Sequence, residues 1–314
     1  MSDYDIAIIG AGGAGLTAAI YAARARRKTI VFEGKVLGGQ IATTDIVENY
    51  PGFPEGINGF DLAQRIFQQA EKFGAEFAYE PVDRITQLPD GGFEIATSER
   101  TITARAAIVT AGADYNKLGV PGEAEFTGRG VSYCGTCDAA FFAGKDVIVV
   151  GGGDSALDEG LFITRYANTV TVVHRRETLR ASAILQERAF AEPKMRFRWN
   201  TVVEAIEGTD SVERVRLRNL LTGAAETIPI DGIFIFIGQT PNNHLLRGLV
   251  QLDAGGHALV DLDMATSVPG LFVAGDLRTR AARQLISAAG DGATAAISAE
   301  HYLTTLDASP ERHG

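Results

Sequence analysis

The chain has 314 residues, with 29 lysines and arginines against 39 aspartates and glutamates and a net charge of −10. That length suits two domains of ~150 residues each. The acidic balance argues against non-specific nucleic-acid binding and against an anionic membrane surface. The first strand follows directly on Met1-Ser2-Asp3-Tyr4 with no basic leader, and no apolar run is long enough to span a membrane. The expectation is a cytoplasmic protein whose two cysteines have a redox or metal role.

Asp5-Ile6-Ala7-Ile8-Ile9 is a continuous apolar run, the pattern of a buried parallel strand. Gly10-Ala11-Gly12-Gly13-Ala14-Gly15 follows, then an Ala-rich helical stretch and a second strand, Thr29 to Glu33. This is a βαβ unit with G-x-G-x-x-G at its first turn. Gly10 allows the tight turn, Gly12 lets a pyrophosphate approach the backbone, and Gly15 lets helix and strand pack closely. Glu33 ends the second strand, where a carboxylate accepts hydrogen bonds from ribose hydroxyls. Strand, helix, strand and acid together predict a dinucleotide site. Gly38-Gly39-Gln40 and Val47 to Phe53 read as loops. Gly59 to Phe73 reads as an amphipathic helix ended by Gly74. Val82 to Leu88 and Phe93 to Thr97 read as a hairpin across Pro89-Asp90-Gly91-Gly92. Ala106 to Thr110 reads as another buried strand, followed by Ala111-Gly112-Ala113.

Leu118 to Glu123, with one Pro and two Gly, breaks the pattern and is a candidate linker. Val131-Ser132-Tyr133-Cys134-Gly135-Thr136-Cys137-Asp138 then holds both cysteines. A C-x-x-C closes almost no loop and staples no fold, but it can open and close as a dithiol/disulfide couple. A structural zinc needs about four ligands, and the nearest histidine in sequence is His174. The opening theme then repeats. Asp146 to Val150 is a strand, Gly151-Gly152-Gly153-Asp154-Ser155-Ala156 a glycine turn, Leu157 to Tyr166 a helix and Thr169 to Val173 a strand. Val212 to Asn219 and Gly232 to Ile237 read as closing strands, and Gly238-Gln239-Thr240-Pro241 as a second linker. Leu271 to Asp276 reads as a strand ending in Gly-Asp, and Gln284 to Leu303 as a long helix. From Asp307 onward the tail reads as polar and frayed. No third nucleotide motif appears, so the C-terminal segment is expected to complete the first domain. The reading is α/β: two Rossmann-like three-layer dinucleotide-binding domains, the second inserted into the first.

The two nucleotide turns differ in charge. Where the first unit ends in Glu33, the second reads His174-Arg175-Arg176, with Arg180 following. A carboxylate repels a ribose 2′-phosphate, whereas a guanidinium pairs with it. One site therefore suits FAD or NAD and the other NADPH. Two such sites and a vicinal dithiol describe an electron line from NADPH through a flavin to a disulfide.

At this point the sequence resembles low-molecular-weight, bacterial-type thioredoxin reductases along essentially its whole length. The likeness rests on Gly10 to Gly15, Gly38-Gly39-Gln40, Glu48 to Phe53, Cys134 to Asp138, Gly151 to Ala156, His174 to Arg176 with Arg180, Gly275-Asp276 and Arg283-Gln284-Leu285. The resemblance implies an FAD domain of residues 1–117 with 242–314, and an NADPH domain of 118–241 carrying the dithiol. It implies FAD across Gly10, Gly12, Gly15, Glu33, Gly39, Gln40, Asn49, Val82, Gly112, Asp276, Arg283, Gln284 and Leu285. NADPH would use Gly153, Ser155, Ala156, His174, Arg175, Arg176 and Arg180. Cys137 would be the sulfur nearer the flavin, Cys134 the one that attacks the partner disulfide, and Asp138 the proton-transfer acid. The residues alone leave Asp138 a second reading, an acid placed at a helix N-terminus. The resemblance further implies thioredoxin as partner, a homodimer, no metal, no nucleic acid, no membrane, and an inserted domain that rotates on its linkers. A ferredoxin-driven or oxygen-linked relative is the alternative. The chain departs from the family pattern at Gly13, at Gln239 and in Leu277 to Ala282, where a familiar acid and tyrosine are missing.

Overall fold

The computed structural model describes residues 2–44, 46–89 and 91–308. The chain divides into two compact units, residues 1–114 with 240–314, and residues 115–239.

In the first unit β1 (Tyr4–Ile9), α1 (Gly13–Arg24) and β2 (Thr29–Phe32) form the expected βαβ. Next comes α2 (Gly59–Lys72), and then β3 (Glu76–Ala78). The Asn58 side chain caps α2 by accepting from the Phe60 N–H at 3.0 Å, and Gly74 ends it at φ +94°. β4 (Val82–Gln87) and β5 (Phe93–Thr97) pair antiparallel, although Asp90 of their connection lies outside the described residues. The next strand, β6 (Thr101–Val109), is longer than its apolar run because, opposite β1, its other edge serves two strands in turn. Its first half pairs antiparallel with β5, and its second half pairs parallel with the strand Leu271–Val273. Alternate side chains of β1 enter different cores: Ile6 and Ile8 face α1 and α2, while Ala7 and Ile9 face the β4–β5 side.

In the second unit β8 (Val131–Ser132) leads into a one-turn helix, α3 (Gly135–Asp138). β9 (Asp146–Val150), α4 (Asp154–Ile163) and β10 (Thr169–Val173) repeat the βαβ. After α5 (Ala183–Ala191) come β11 (Met195–Arg198), β12 (Thr201–Gly208), β13 (Val212–Asn219), β14 (Ala225–Pro229) and β15 (Gly232–Ile235). The parallel sheet runs β11-β10-β9-β15-β8, while β12-β13-β14 form a separate antiparallel sheet. Val212–Asn219 and Gly232–Ile237, both expected as closing strands, fall in different sheets, the second ending at Ile235. The structure separates them, because β13 alternates buried and exposed residues as a one-sided strand does, whereas β15 is buried throughout. Val147 and Val149 pack toward α4, and Ile148 and Val150 toward the antiparallel sheet, so this unit has three layers.

The crossings between units are β7 (Ala113–Tyr115) and β16 (Gln239–Pro241), which pair as a two-stranded ribbon. After them β17 (Leu271–Val273) joins β6, and α6 (Leu285–Ala308) packs on α1. The two helices meet through small residues: a Cβ built on Gly292 would lie 2.0 Å from the Ala14 carbonyl oxygen. Of the tail read as frayed from Asp307, residues 309–314 lie outside the described residues. Asp307 lies within α6 and is ion-paired to Arg27 at 3.0 Å and to Arg105, so two cations hold the helix end. Among the described residues, no helix is long and apolar enough to cross a membrane.

Candidate functional site

In the first unit the glycine turn leaves the carboxyl end of β1. A Cβ on Gly10 (φ +106°) would lie 2.7 Å from the Thr110 carbonyl oxygen, and one on Gly15 only 1.8 Å from the Gly10 carbonyl oxygen. Both glycines are therefore required by packing. Gly12 differs: it is the residue before α1, and a Cβ there meets nothing within 4 Å. Open space over a helix N-terminus is where a phosphate binds. Glu33 stabilises the turn directly, its carboxylate accepting from the Ala11 N–H at 2.8 Å and the Lys35 N–H at 2.7 Å.

The other residues expected here gather on the same side. Gly38 donates to the Ala11 carbonyl at 2.8 Å, and Gly39 approaches Gly12. The Gln40 amide donates to the Ala113 carbonyl, beside the left-handed Gly112. The Asn49 side-chain amide donates to Gln284 Oε1, distant in sequence, at 3.1 Å. Leu285 packs so closely over Gly13 that a Cβ there would lie 2.4 Å from it. Val82 is buried at the start of β4, next to Pro81, which packs on Gly34. Gly10, Glu33, Gly112 and Asp276 follow the carboxyl ends of parallel strands, where open α/β sheets bind ligands. Burial pushes the Asp276 carboxyl above its ordinary range, and the nearby Arg283 opposes the shift.

Two residues here escaped sequence reasoning. Asp291 of α6 is 8% exposed and accepts from the Gly275 N–H at 3.2 Å, from Arg278 Nε at 2.7 Å and from Arg278 Nη2 at 2.8 Å. The segment that departs from the family pattern thus supplies a bidentate ion pair that ties the Gly275-Asp276 turn to α6. The signal was a lone acid on the otherwise small, apolar face of α6, since such an acid needs a partner.

The second unit's glycine turn repeats the arrangement with other contacts. A Cβ on Gly151 would lie 2.5 Å from the Phe236 carbonyl oxygen, and one on Gly152 2.3 Å from the His174 ring. Gly153 precedes α4, and a Cβ there meets nothing within 4 Å. Ser155 is exposed in the first turn of α4, and Ala156 is buried beneath Gly151. The Arg180 N–H donates to the Gly152 carbonyl at 2.7 Å, which brings the Arg180 backbone against the turn. Arg175, Arg176 and Arg180 are exposed, and no ion pair among the described residues engages them. His174 beneath them is buried, with Nε2 3.1 Å from the Thr178 carbonyl oxygen. Burial pushes its pKa down, and all three guanidinium charges push the same way. Their fields converge at one place, as an anion site requires.

Cys134 and Cys137 are joined as a disulfide, with Cα atoms 5.3 Å apart. Cys134 precedes α3, and its Sγ accepts from the Cys137 N–H at 3.2 Å. The Thr136 N–H donates to Glu159 of α4 at 2.9 Å. Asp138 is largely buried and has no ion-pair partner among the described residues. Burial raises its carboxyl above the usual range, and a 2.6 Å hydrogen bond from the Ser132 hydroxyl pulls it back. Ser132 and Glu159 were missed from sequence, because each acts across a gap that only the β8–α3–α4 packing closes. Gln239, at the second crossing, buries Oε1 with no hydrogen-bond donor among the described residues.

A family profile for pyridine nucleotide-disulphide oxidoreductases matches residues 4–293. A thioredoxin reductase from Treponema pallidum is 46% identical over 97% of this chain and 99% of its own. One from Bacillus subtilis is 47% identical over 96% of both chains. The crystal structure of thioredoxin reductase from Streptococcus pyogenes superposes with a TM-score of 0.92, at 44% identity over 96% of this chain and 98% of that one. With a disulfide carried inside an inserted Rossmann-like unit, and this full-length likeness, the chain belongs to the pyridine nucleotide-disulphide oxidoreductase family.

Proposed function

We propose that the chain is an NADPH-dependent thioredoxin reductase, with FAD in the first unit, NADPH in the second and Cys134/Cys137 as the redox pair. The family implies a flavin and a nicotinamide cofactor, and the residues fit both. Gly12 and Gly153 each leave a helix N-terminus open to phosphate. Glu33 marks the first site for a free ribose, and the unpaired guanidiniums of Arg175, Arg176 and Arg180 mark the second for a 2′-phosphate. That basic cluster disfavours a ferredoxin-driven or oxygen-linked reading.

The flavin, when bound, accepts a hydride from the nicotinamide and passes two electrons to a disulfide. In balance, NADPH, a proton and the Cys134–Cys137 disulfide give NADP⁺ and two thiols. The Cys134 thiolate then attacks one sulfur of the thioredoxin disulfide, and Cys137 resolves the mixed disulfide. This releases the thioredoxin dithiol and restores the internal disulfide. Asp138 supplies and retrieves the proton at the thiols, a role that suits a buried carboxyl biased toward its protonated form. The observation that carries this reading is the disulfide turn with its own buried acid, in the same unit as the basic nucleotide turn. We further propose a cytoplasmic homodimer. Tyr21 of α1 and Ile286 and Ile297 of α6 are exposed apolar side chains that such an interface would cover.

The test is to mix the flavin-loaded protein anaerobically with NADPH, follow the flavin absorbance, and then add thioredoxin. NADPH should bleach the flavin and thioredoxin should restore it, while Cys134→Ser should keep the bleaching and lose thioredoxin reduction. No bleaching by NADPH would defeat the proposal.

A further inference from the structure

The Ser132 hydroxyl is a meeting point that the chemistry so far does not use. It is 4% exposed, at the end of β8. Its oxygen lies 2.6 Å from Asp138 Oδ2, accepts from the Cys134 N–H at 3.1 Å, and is 3.2 Å from the Cys134 carbonyl oxygen. A hydroxyl has one proton to give and two lone pairs. It therefore cannot donate to Asp138 and to the Cys134 carbonyl at the same time, yet both acceptors are within reach.

We propose that Ser132 is a positioning residue for the dithiol chemistry: its hydroxyl holds the Asp138 carboxyl against the cysteine turn in both of its protonation states. When Asp138 is ionised, Ser132 donates to Oδ2. When Asp138 is protonated, the carboxyl O–H donates to Ser132 Oγ, and the serine proton turns to the Cys134 carbonyl. In each state the Cys134 N–H keeps its acceptor. The proton that Asp138 gives to a thiolate, or takes back from a thiol, is thus matched by a rotation of one O–H bond, with no backbone group of the turn losing its partner. Without the hydroxyl, the buried carboxylate has no remaining donor among the described side chains.

Burial raises the Asp138 carboxyl, and this bond is the side-chain contact that opposes it. Of the elements packed near α3, α4 carries Asp154, Asp158 and Glu159; Asp158 and Glu159 line one cavity with Thr136, whose N–H holds Glu159, and none of the three is hydrogen-bonded to Asp138. The turn 139–142 and strands β8 and β15 carry no charged residue. Tyr133 engages Glu123 at 2.8 Å rather than the acid.

The inference rests on the proposed role of Asp138, so its test has one arm that needs no thioredoxin. Infrared difference spectra of the oxidised, flavin-loaded protein against pH read the protonated-carboxyl band, and the part lost in Asp138→Asn belongs to Asp138. Ser132→Ala should move the midpoint of that part up by about one pH unit, the amount by which a lost hydrogen bond to a charged group exceeds a lost bond to a neutral one. Ser132→Thr, which keeps the hydroxyl, should leave it in place. The pH profile of thioredoxin reduction should move in the same direction for Ser132→Ala. Coincident midpoints for wild type and Ser132→Ala would overturn the proposal. So would an equal shift in Ser132→Thr, or the absence of any band sensitive to Asp138→Asn. If Ser132→Ala fails to fold, Ser132→Gly carries the same comparison. Failure of the wild-type protein to reduce thioredoxin would instead refute the functional reading and leave the infrared result standing.

Discussion

The Arg278–Asp291 pair makes a sharp energetic prediction. Asp291 is 8% exposed and accepts three hydrogen bonds, two of them bidentate from Arg278, whose side chain retains 18% exposure. Removing one partner of a buried pair strands the other charge, at a cost of about 3–5 kcal/mol. The residual exposure of Arg278 places Arg278→Met near the lower end. At ~2–4 °C per kcal/mol for a domain of this size, such a loss lowers the melting temperature by roughly 6–12 °C. Asp291→Asn should also destabilise, by leaving the guanidinium unpaired. The double variant should lose much less than the two single losses combined, because it contains no uncompensated charge, and a coupling of about 2 kcal/mol is expected for groups in direct contact. The pair fixes the turn that carries Asp276, so flavin should also leave the single variants more readily. The assay is a thermal melt followed by the fluorescence of released flavin, with circular dichroism in parallel. Additive single losses, or a shift under about 2 °C for Arg278→Met, would refute the reasoning.

Four further outcomes are expected. Reversing the charge of Arg175 and Arg176 should raise KM for NADPH far more than for NADH, read by steady-state kinetics; an unchanged NADPH preference would remove the 2′-phosphate assignment. Gly15→Ala should unfold or strongly destabilise the first unit, since its Cβ would sit 1.8 Å from a carbonyl oxygen. Gly12→Ala should instead keep its melting temperature in the apoprotein but bind flavin weakly, measured by reconstitution. Asp138 has a folded-state pKa raised above its unfolded value, so the folded protein binds more protons between those values and loses stability as pH rises through that window. Asp138→Asn should therefore melt higher than wild type at pH 7, and the advantage should vanish below about pH 3.9, the ordinary Asp value.

Much of the site was legible because its chemistry is local in sequence. A glycine turn between strand and helix, an acid or an arginine pair at the next strand end, and two cysteines two residues apart each state a requirement within a short window. The fold class followed from the same windows, as continuous apolar runs mark strands buried on both faces. Less legible was whatever depends on a distant partner. The length of β6 is set by β5 and β17, which pair with different halves of it. Asp307, near the end of α6, pairs with Arg27 and Arg105, far away in the chain, and no local pattern announces those partners.

By itself, then, the sequence determined two glycine turns between strand and helix, one followed by an acid and the other by arginines, and a redox dithiol inside an insertion, because backbone conformation and charge at a turn are properties of a few adjacent residues. The tertiary structure decided how the acid beside the dithiol is controlled. Ser132 and Asp138 lie on a strand and a helix whose packing sets their 2.6 Å approach, and the carboxyl is raised only because the surrounding fold excludes water from it. The structure likewise decided that Arg278 serves Asp291, since an ion pair across 13 residues and two elements exists only once α6 has packed against α1.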